Sequence, residues 1–288
     1  MRKNMKSICA AFAGAAMALA ALPASANMVD IGGVYVPVVG DTYLNTGALY
    51  EGQTGTAPTY PNYTQPITSV GQVLGGIGSV DTIRTGGGIT TWAAGGLNDS
   101  ANVQLTFVFG NYVAQKIFTD ASGIHIWFSG GNVDFYTAAY GTFNPSLIPA
   151  DPNAINTALG NPWLNVVGGS VYTCTAADGC LGGAGTGITL ESTINQPGTL
   201  IDIFSGSGNG FLDVGPGTGI ANNNFNTNGV FGHDIGLTSS FSTISTGSFG
   251  TSGSFAMRGQ AIPEPGSLFL LGIGALSFGV MASRKRNA

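Results

Sequence analysis

Between residues 27 and 262, the groups that could do chemistry are two histidines, one pair of cysteines and thirteen carboxylates. His125 stands in "GIHIWF", where strand alternation puts it on one face with Trp127 and opposite Ile124 and Ile126. An imidazole beside an indole could contact a sugar ring or serve in acid–base work; the plainer reading is an exposed sheet face. His233 and Asp234 are neighbours in "VFGHDIG". On a strand they would point to opposite faces, so they cannot form a dyad with each other there, and loop chemistry is the expectation. No G-x-S-x-G elbow is present. The glycines of "GSGNG" and "GPGTG" have the wrong spacing for a phosphate cradle, and no helix pattern follows them. Calcium is the one cofactor left open, through oxygen ligands such as Asp202 and Asp213, although neither nonapeptide nor EF-hand spacing occurs. Carboxylates from distant strands could pair for glycoside hydrolysis, but nothing in the sequence picks out two. The expectation is therefore a protein with no catalytic residues, no cofactor and no metal site.

The elements that would position these groups read as β. Forty-seven of 288 residues are Gly, and Ser, Thr and Asn are plentiful, a composition poor in helix formers. In "ANVQLTFVFG" the side chains of Val103, Leu105, Phe107 and Phe109 share one face, and Ile124, Ile126 and Phe128 do the same in the next run. Gly110-Asn111 and Gly130-Gly131 read as tight turns, which would make four adjacent strands of an antiparallel meander. The stretch up to about Gly96 shows only short strands such as "VYVPVV". Further runs follow at Ile188–Ile194, Thr199–Phe204, Gly210–Val214, Phe241–Thr246 and Ser254–Gly259. One short helix is expected in "ADPNAINTALGNP", with Asp151 as N-cap, Pro152 in the first turn and Gly160 just past the end. About ten short strands predict a mainly β protein, a single antiparallel β-sandwich or jelly-roll-like domain over residues 27–261. A β-helix is the alternative, without a repeat period to support it.

Both ends read as addresses. Arg2, Lys3 and Lys6 precede an apolar run, and Ala24 and Ala26 sit where signal peptidase needs small residues, so residues 1–26 are expected to be a cleaved signal peptide. Cys9 leaves with it, and the remaining pair, Cys174 and Cys180, is expected to form a disulfide around a short polar loop. Between residues 27 and 262 thirteen acidic residues face only Arg84, Lys116 and Arg258, ten net negative charges, which argues against a nucleic-acid partner.

The last segment, residues 262–288, runs "IPEPGSLFLLGIGALSFGVMASRKRNA". Pro263, Glu264 and Pro265 are followed by an apolar run, Leu268 to Ala282, and by the basic tip Arg284, Lys285 and Arg286. These three elements, in this order, resemble the PEP-CTERM sorting signal of Gram-negative bacteria. The resemblance implies recognition by an exosortase, passage through an inner-membrane intermediate held by the C-terminal hydrophobic helix, removal of that tail, and release to the cell surface or extracellular matrix. It further implies a role in exopolysaccharide, biofilm or floc formation, with exopolysaccharide or further copies of the chain as partners. The run "GNGFLDV…FNTNGVFGHDIGLTSSFS…GSFAMRGQAIPEP" is similar to body segments of such proteins, flocculation-associated ones included. The physical reading agrees: fifteen apolar residues broken by Gly272, Gly274 and Gly279 are short for a transmembrane span. A retained anchor is the alternative for the tail, and a secreted glycan-active hydrolase or lyase is the alternative for the domain.

Overall fold

The structure, a computed structural model, describes residues 27–38, 40–54, 66–141, 143, 160–182, 185–194, 205–217, 219–243 and 251–261. Within them the chain forms β1 (Asn27–Ile31), β2 (Val34–Val38), β3 (Gly40–Thr54), β4 (Val73–Thr85), β5 (Thr90–Ala93), β6 (Val103–Asp120) and β7 (Gly123–Ala139). These are followed by β8 (Asn161–Gly169), β9 (Tyr172–Cys174), β10 (Thr186–Ile194), β11 (Ser205–Val214), β12 (Ile235–Thr243) and β13 (Thr251–Ala261). The mainly β, antiparallel character expected from composition is what the chain adopts.

Pairing determines the architecture. Starting from β12, antiparallel ladders lead through β13, β3, β4, β6, β7, β10 and β11 and return to β12. Eight strands thus close on themselves. β8 takes the place of β10 between β7 and β11 over the other half of those strands, and β5 pairs with the end of β4. All strands but β1 and β2 therefore lie in one sheet that runs full circle, a barrel, where two separate sheets of a sandwich were expected. Closure leaves no free edge in the ring, which removes the main aggregation hazard of a β protein.

Side chains alternate across this wall. Leu105, Phe107, Phe109, Ile126, Phe128, Phe135, Leu212, Phe255 and Met257 are buried members of one core. Outside, Thr238, Ser240, Ser242 and Ser254 are exposed, and the Ser240 and Ser254 hydroxyls lie 3.1 Å apart. Apolar inside and polar outside is the reverse of a lipid-embedded barrel. Glycine supplies the space that the inward rings need. A Cβ on Gly76 or Gly78 of β4 would overlap the rings of Phe109 and Phe107, and one on Gly206 of β11 would overlap Phe241. The glycines of "GSGNG" accordingly lie on the inner face of β11.

Three further readings change. β3 and β4 are 15 and 13 residues long, in the region where only short strands were legible. Gly110-Asn111 and Gly130-Gly131 are not turns: β6 and β7 run through them as 18- and 17-residue strands, paired Gly110 with Asn132 and Tyr112 with Gly130. Asn111 (φ 61°), Gly130 (φ 70°) and Gly131 (φ 94°) take positive φ, and the ladder is interrupted at Asn111 and Gly131 without a change of register. The expected helix up to residue 159, the strand at 199–204 and all of residues 1–26 and 262–288 lie outside the described residues. A one-turn helix, α1 (Asn222–Phe225), stands at a place the sequence did not suggest. Its Asn222 amide holds the adjacent loop by donating to Gly215 O and Gly217 O.

A two-stranded ribbon, β1 and β2, turns at Gly32-Gly33, both at positive φ, with Asp30 Oδ1 accepting from the Gly33 N–H at 2.6 Å. Val29, Ile31, Val36 and Val38 on the ribbon are buried. The Trp163 Nε1–H donates to Asp30 O at 2.7 Å and ties the ribbon to β8.

Candidate functional site

The outward face of the β6–β7 hairpin gathers most of the polar and aromatic groups singled out above. Lys116 of β6 pairs in register with Trp127 of β7, which pairs with Glu191 of β10; the adjacent row is Phe118, His125, Thr193. A register shift between Ala114 and Lys116 is what turns Lys116 and Phe118 outward. Tyr172 of β9 completes the cluster through an edge contact with Trp127 at 5.1 Å.

His125 is buried at its centre. Its ring stacks on Phe118 (4.9 Å, 14°), and Phe118 meets Trp127 edge-on at 5.0 Å. The two imidazole nitrogens face opposite sides of the cluster. Nε2 lies 2.9 Å from Ser122 Oγ and 3.1 Å from Asp120 Oδ1, while Nδ1 lies 3.2 Å from Glu191 Oε1 and 3.3 Å from Thr193 Oγ1. The Trp127 Nε1–H donates to the same Glu191 oxygen at 3.2 Å. Lys116 Nζ stands 4.8 Å from the ring centres of both Phe118 and Trp127, a cation–π contact with each.

A hydroxyl on Nε2 and a carboxylate on Nδ1 is the order of contacts in an acyl-transfer triad. Here, however, Ser122 Oγ donates to Asp120 Oδ1 at 2.6 Å, closer than Nε2, so its proton is directed away from the imidazole. The hydroxyl and backbone N–H of Ser122, with His125 behind them, hold the Asp120 carboxyl down at about 2. A carboxyl depressed in the folded state stabilises it above the ordinary carboxyl range, and this contribution is lost as pH falls from about 4 to about 2. Melting midpoints followed across that window are expected to fall less steeply in Ser122→Ala than in the wild type. Identical pH profiles would remove Ser122 as the cause.

The Cys174–Cys180 disulfide forms as expected, with Cα atoms 6.0 Å apart. Together with Ile188 it makes a small core outside the barrel, against which Trp127 packs. The two residues just past it are docked on β6: Gln115 accepts from the Gly182 N–H through its side chain at 2.9 Å and from the Leu181 N–H through its backbone oxygen at 3.0 Å. Asp178 caps its own loop through Thr175, whose hydroxyl and N–H lower the Asp178 carboxyl.

The second histidine lies elsewhere. His233 Nδ1 pairs with Asp213 at 3.0 and 3.1 Å, whereas Asp234 is buried and accepts the N–H groups of Val214, Thr227 and Asn228. The two neighbours thus have separate partners, and both lie just before β12 rather than on a strand. Glu191 and Asp213 as histidine partners were not legible, because they lie 66 and 20 residues from the histidines they meet. Among the described residues no group of three or more His, Cys, Asp or Glu side chains is placed to hold a metal ion. Asp202, the other suggested calcium ligand, lies outside them, as do Ala24, Ala26, Pro263, Glu264, Pro265, Arg284, Lys285 and Arg286.

Fold and site together define a closed antiparallel β-barrel with a polar outer wall and an aromatic–carboxylate cluster on it. The chain carries a PEP-CTERM protein-sorting motif: the family model of that motif matches residues 261–286, beginning at the last residue of β13. The motif is that of exported proteins recognised by an exosortase and destined for the cell surface. No curated protein matches the chain. A solved structure described as the crystal structure of Ail, the attachment invasion locus protein of Yersinia pestis, aligns at 8% identity over 77% of this chain and 98% of that one. Its TM-score is 0.14, too low to bear on fold or function. Among the described residues no helix is long and apolar enough to cross a membrane.

Proposed function

We propose that the exported barrel is a non-enzymatic surface or matrix protein that holds chains of the cell's exopolysaccharide on the β6–β7–β10 face, and so contributes to biofilm or floc formation. The observation that carries this reading is the cluster of Phe118, Trp127 and Tyr172 rings beside Glu191, Lys116 and Asp120. Flat apolar rings beside carboxylates and an ammonium suit the C–H faces and hydroxyl edges of a sugar. Ten net negative charges across residues 27–262 favour a neutral glycan over a uronate-rich one. The reading calls for no cofactor, and the tail would be removed after the Pro263–Pro265 motif has been recognised.

The test is retention of the mature protein on the producer's own exopolysaccharide. Trp127→Ala is expected to weaken binding about tenfold, roughly 1.4 kcal/mol. No retention, or equal retention of the variant, would sink the proposal. Release of reducing ends or unsaturated products would instead mark a glycan-active enzyme, and self-association without glycan would mark a matrix built from the protein alone.

A further inference from the structure

We propose that the barrel interior is a separate binding site, for a slender aliphatic molecule carrying one hydroxyl group. Two cavities of about 40 Å³ each lie inside the ring and share Glu51, Leu74 and Ser192 in their walls. The second is displaced towards Ile67 and Ile194, so the two follow one another along the barrel. Their walls are mostly Leu, Ile, Val and Phe side chains. An eight-stranded barrel is about the size that side chains either fill or leave open for one small ligand.

The polar exceptions point to a ligand. Tyr112 lines the first cavity, is 1% exposed, and its hydroxyl has no hydrogen-bond partner. Burial raises its pKa, so it remains an O–H donor. A partnerless buried hydroxyl destabilises a fold, and Phe in its place would pack the same ring without that cost. The ring is moreover accommodated by construction, because it lies over Gly131, where any Cβ would overlap it. Glu51, 9% exposed, lines both cavities, and Ser239 lines the first. A carboxylate has several acceptor positions, so Glu51 can take a ligand hydrogen in addition to its existing interaction. A hydroxyl is a small group that can both accept from Tyr112 and donate to Glu51. The narrow apolar space beyond them suits an unbranched chain. This site is inside the wall and the glycan face is outside it, so either assignment can fail without the other.

The experiment uses the mature protein with 1-octanol and with 1-chlorooctane, which has the same chain and no hydroxyl. At a concentration a hundredfold above Kd, octanol is expected to raise the melting midpoint by about 5 °C. Methyl resonances of Leu190 and Met257 should shift with it. Tyr112→Phe should weaken octanol binding about tenfold, leave chlorooctane binding unchanged, and melt no lower than wild type without ligand. Ser239→Leu, which fills the first cavity, should abolish binding of both. No midpoint or methyl shift with octanol would overturn the proposal, as would cavities holding water alone in its presence. Equal affinity of wild type and Tyr112→Phe for octanol would do the same.

Discussion

Gly131→Ala is expected to melt about 10 °C below the wild type, whereas Gly33→Ala should lose only about 4 °C. The two glycines share a φ of 94°, so the backbone cost of adding a side chain is similar, about 1–2 kcal/mol. They differ in what the new methyl would meet. At Gly33 nothing lies within 4 Å, while at Gly131 the methyl would overlap the ring of Tyr112, itself fully buried in the core. Forcing that ring aside adds roughly 1–3 kcal/mol. Calorimetry of the two variants separates strain from overlap. Equal losses would mean that the positive φ, and not the Tyr112 ring, dictates glycine at this position.

Trp163→Ala should be as damaging, about 3–5 kcal/mol, because three things end together. The indole is fully buried and meets Phe135 and Phe225 edge-on at 6.2 and 6.1 Å. Its N–H also satisfies Asp30 O on the ribbon, and that carbonyl would lose its partner. Trp163→Phe is the informative companion: it keeps most of the ring volume and loses the N–H, so a smaller loss, roughly 1–2 kcal/mol, is expected. Denaturant unfolding of both variants checks this. A Trp163→Ala protein within 1 kcal/mol of wild type would show that the ribbon contributes little to holding β8.

These two sites also mark where sequence reading reached its limit. Gly130-Gly131 and Gly110-Asn111 read as tight turns, and all but Gly110 take the positive φ such turns use without turning the chain. Whether such a pair turns the chain or stays within a strand depends on the partner strand. Here the ladder continues in the same register on both sides, from Gly110 with Asn132 to Tyr112 with Gly130. The glycines of "GSGNG" were read only for the spacing of a phosphate cradle; the space they leave is occupied by Phe241 and Leu190, which no local pattern places there.

What the amino-acid sequence determines by itself is local. Period-2 alternation placed Leu105, Phe107 and Phe109 on one face and His125 with Trp127 on the other, and the structure keeps both assignments. A short loop between two cysteines was enough to expect the 174–180 disulfide, and the terminal motif is contiguous, so residues 261–286 declare the destination without any fold. Closure of the ring, the stacking of Phe118 on His125 and the meeting of His125 with Glu191 belong to tertiary structure alone. Each joins residues whose proximity is set by the register of whole strands, and a one-residue slip would turn every such side chain to the other face.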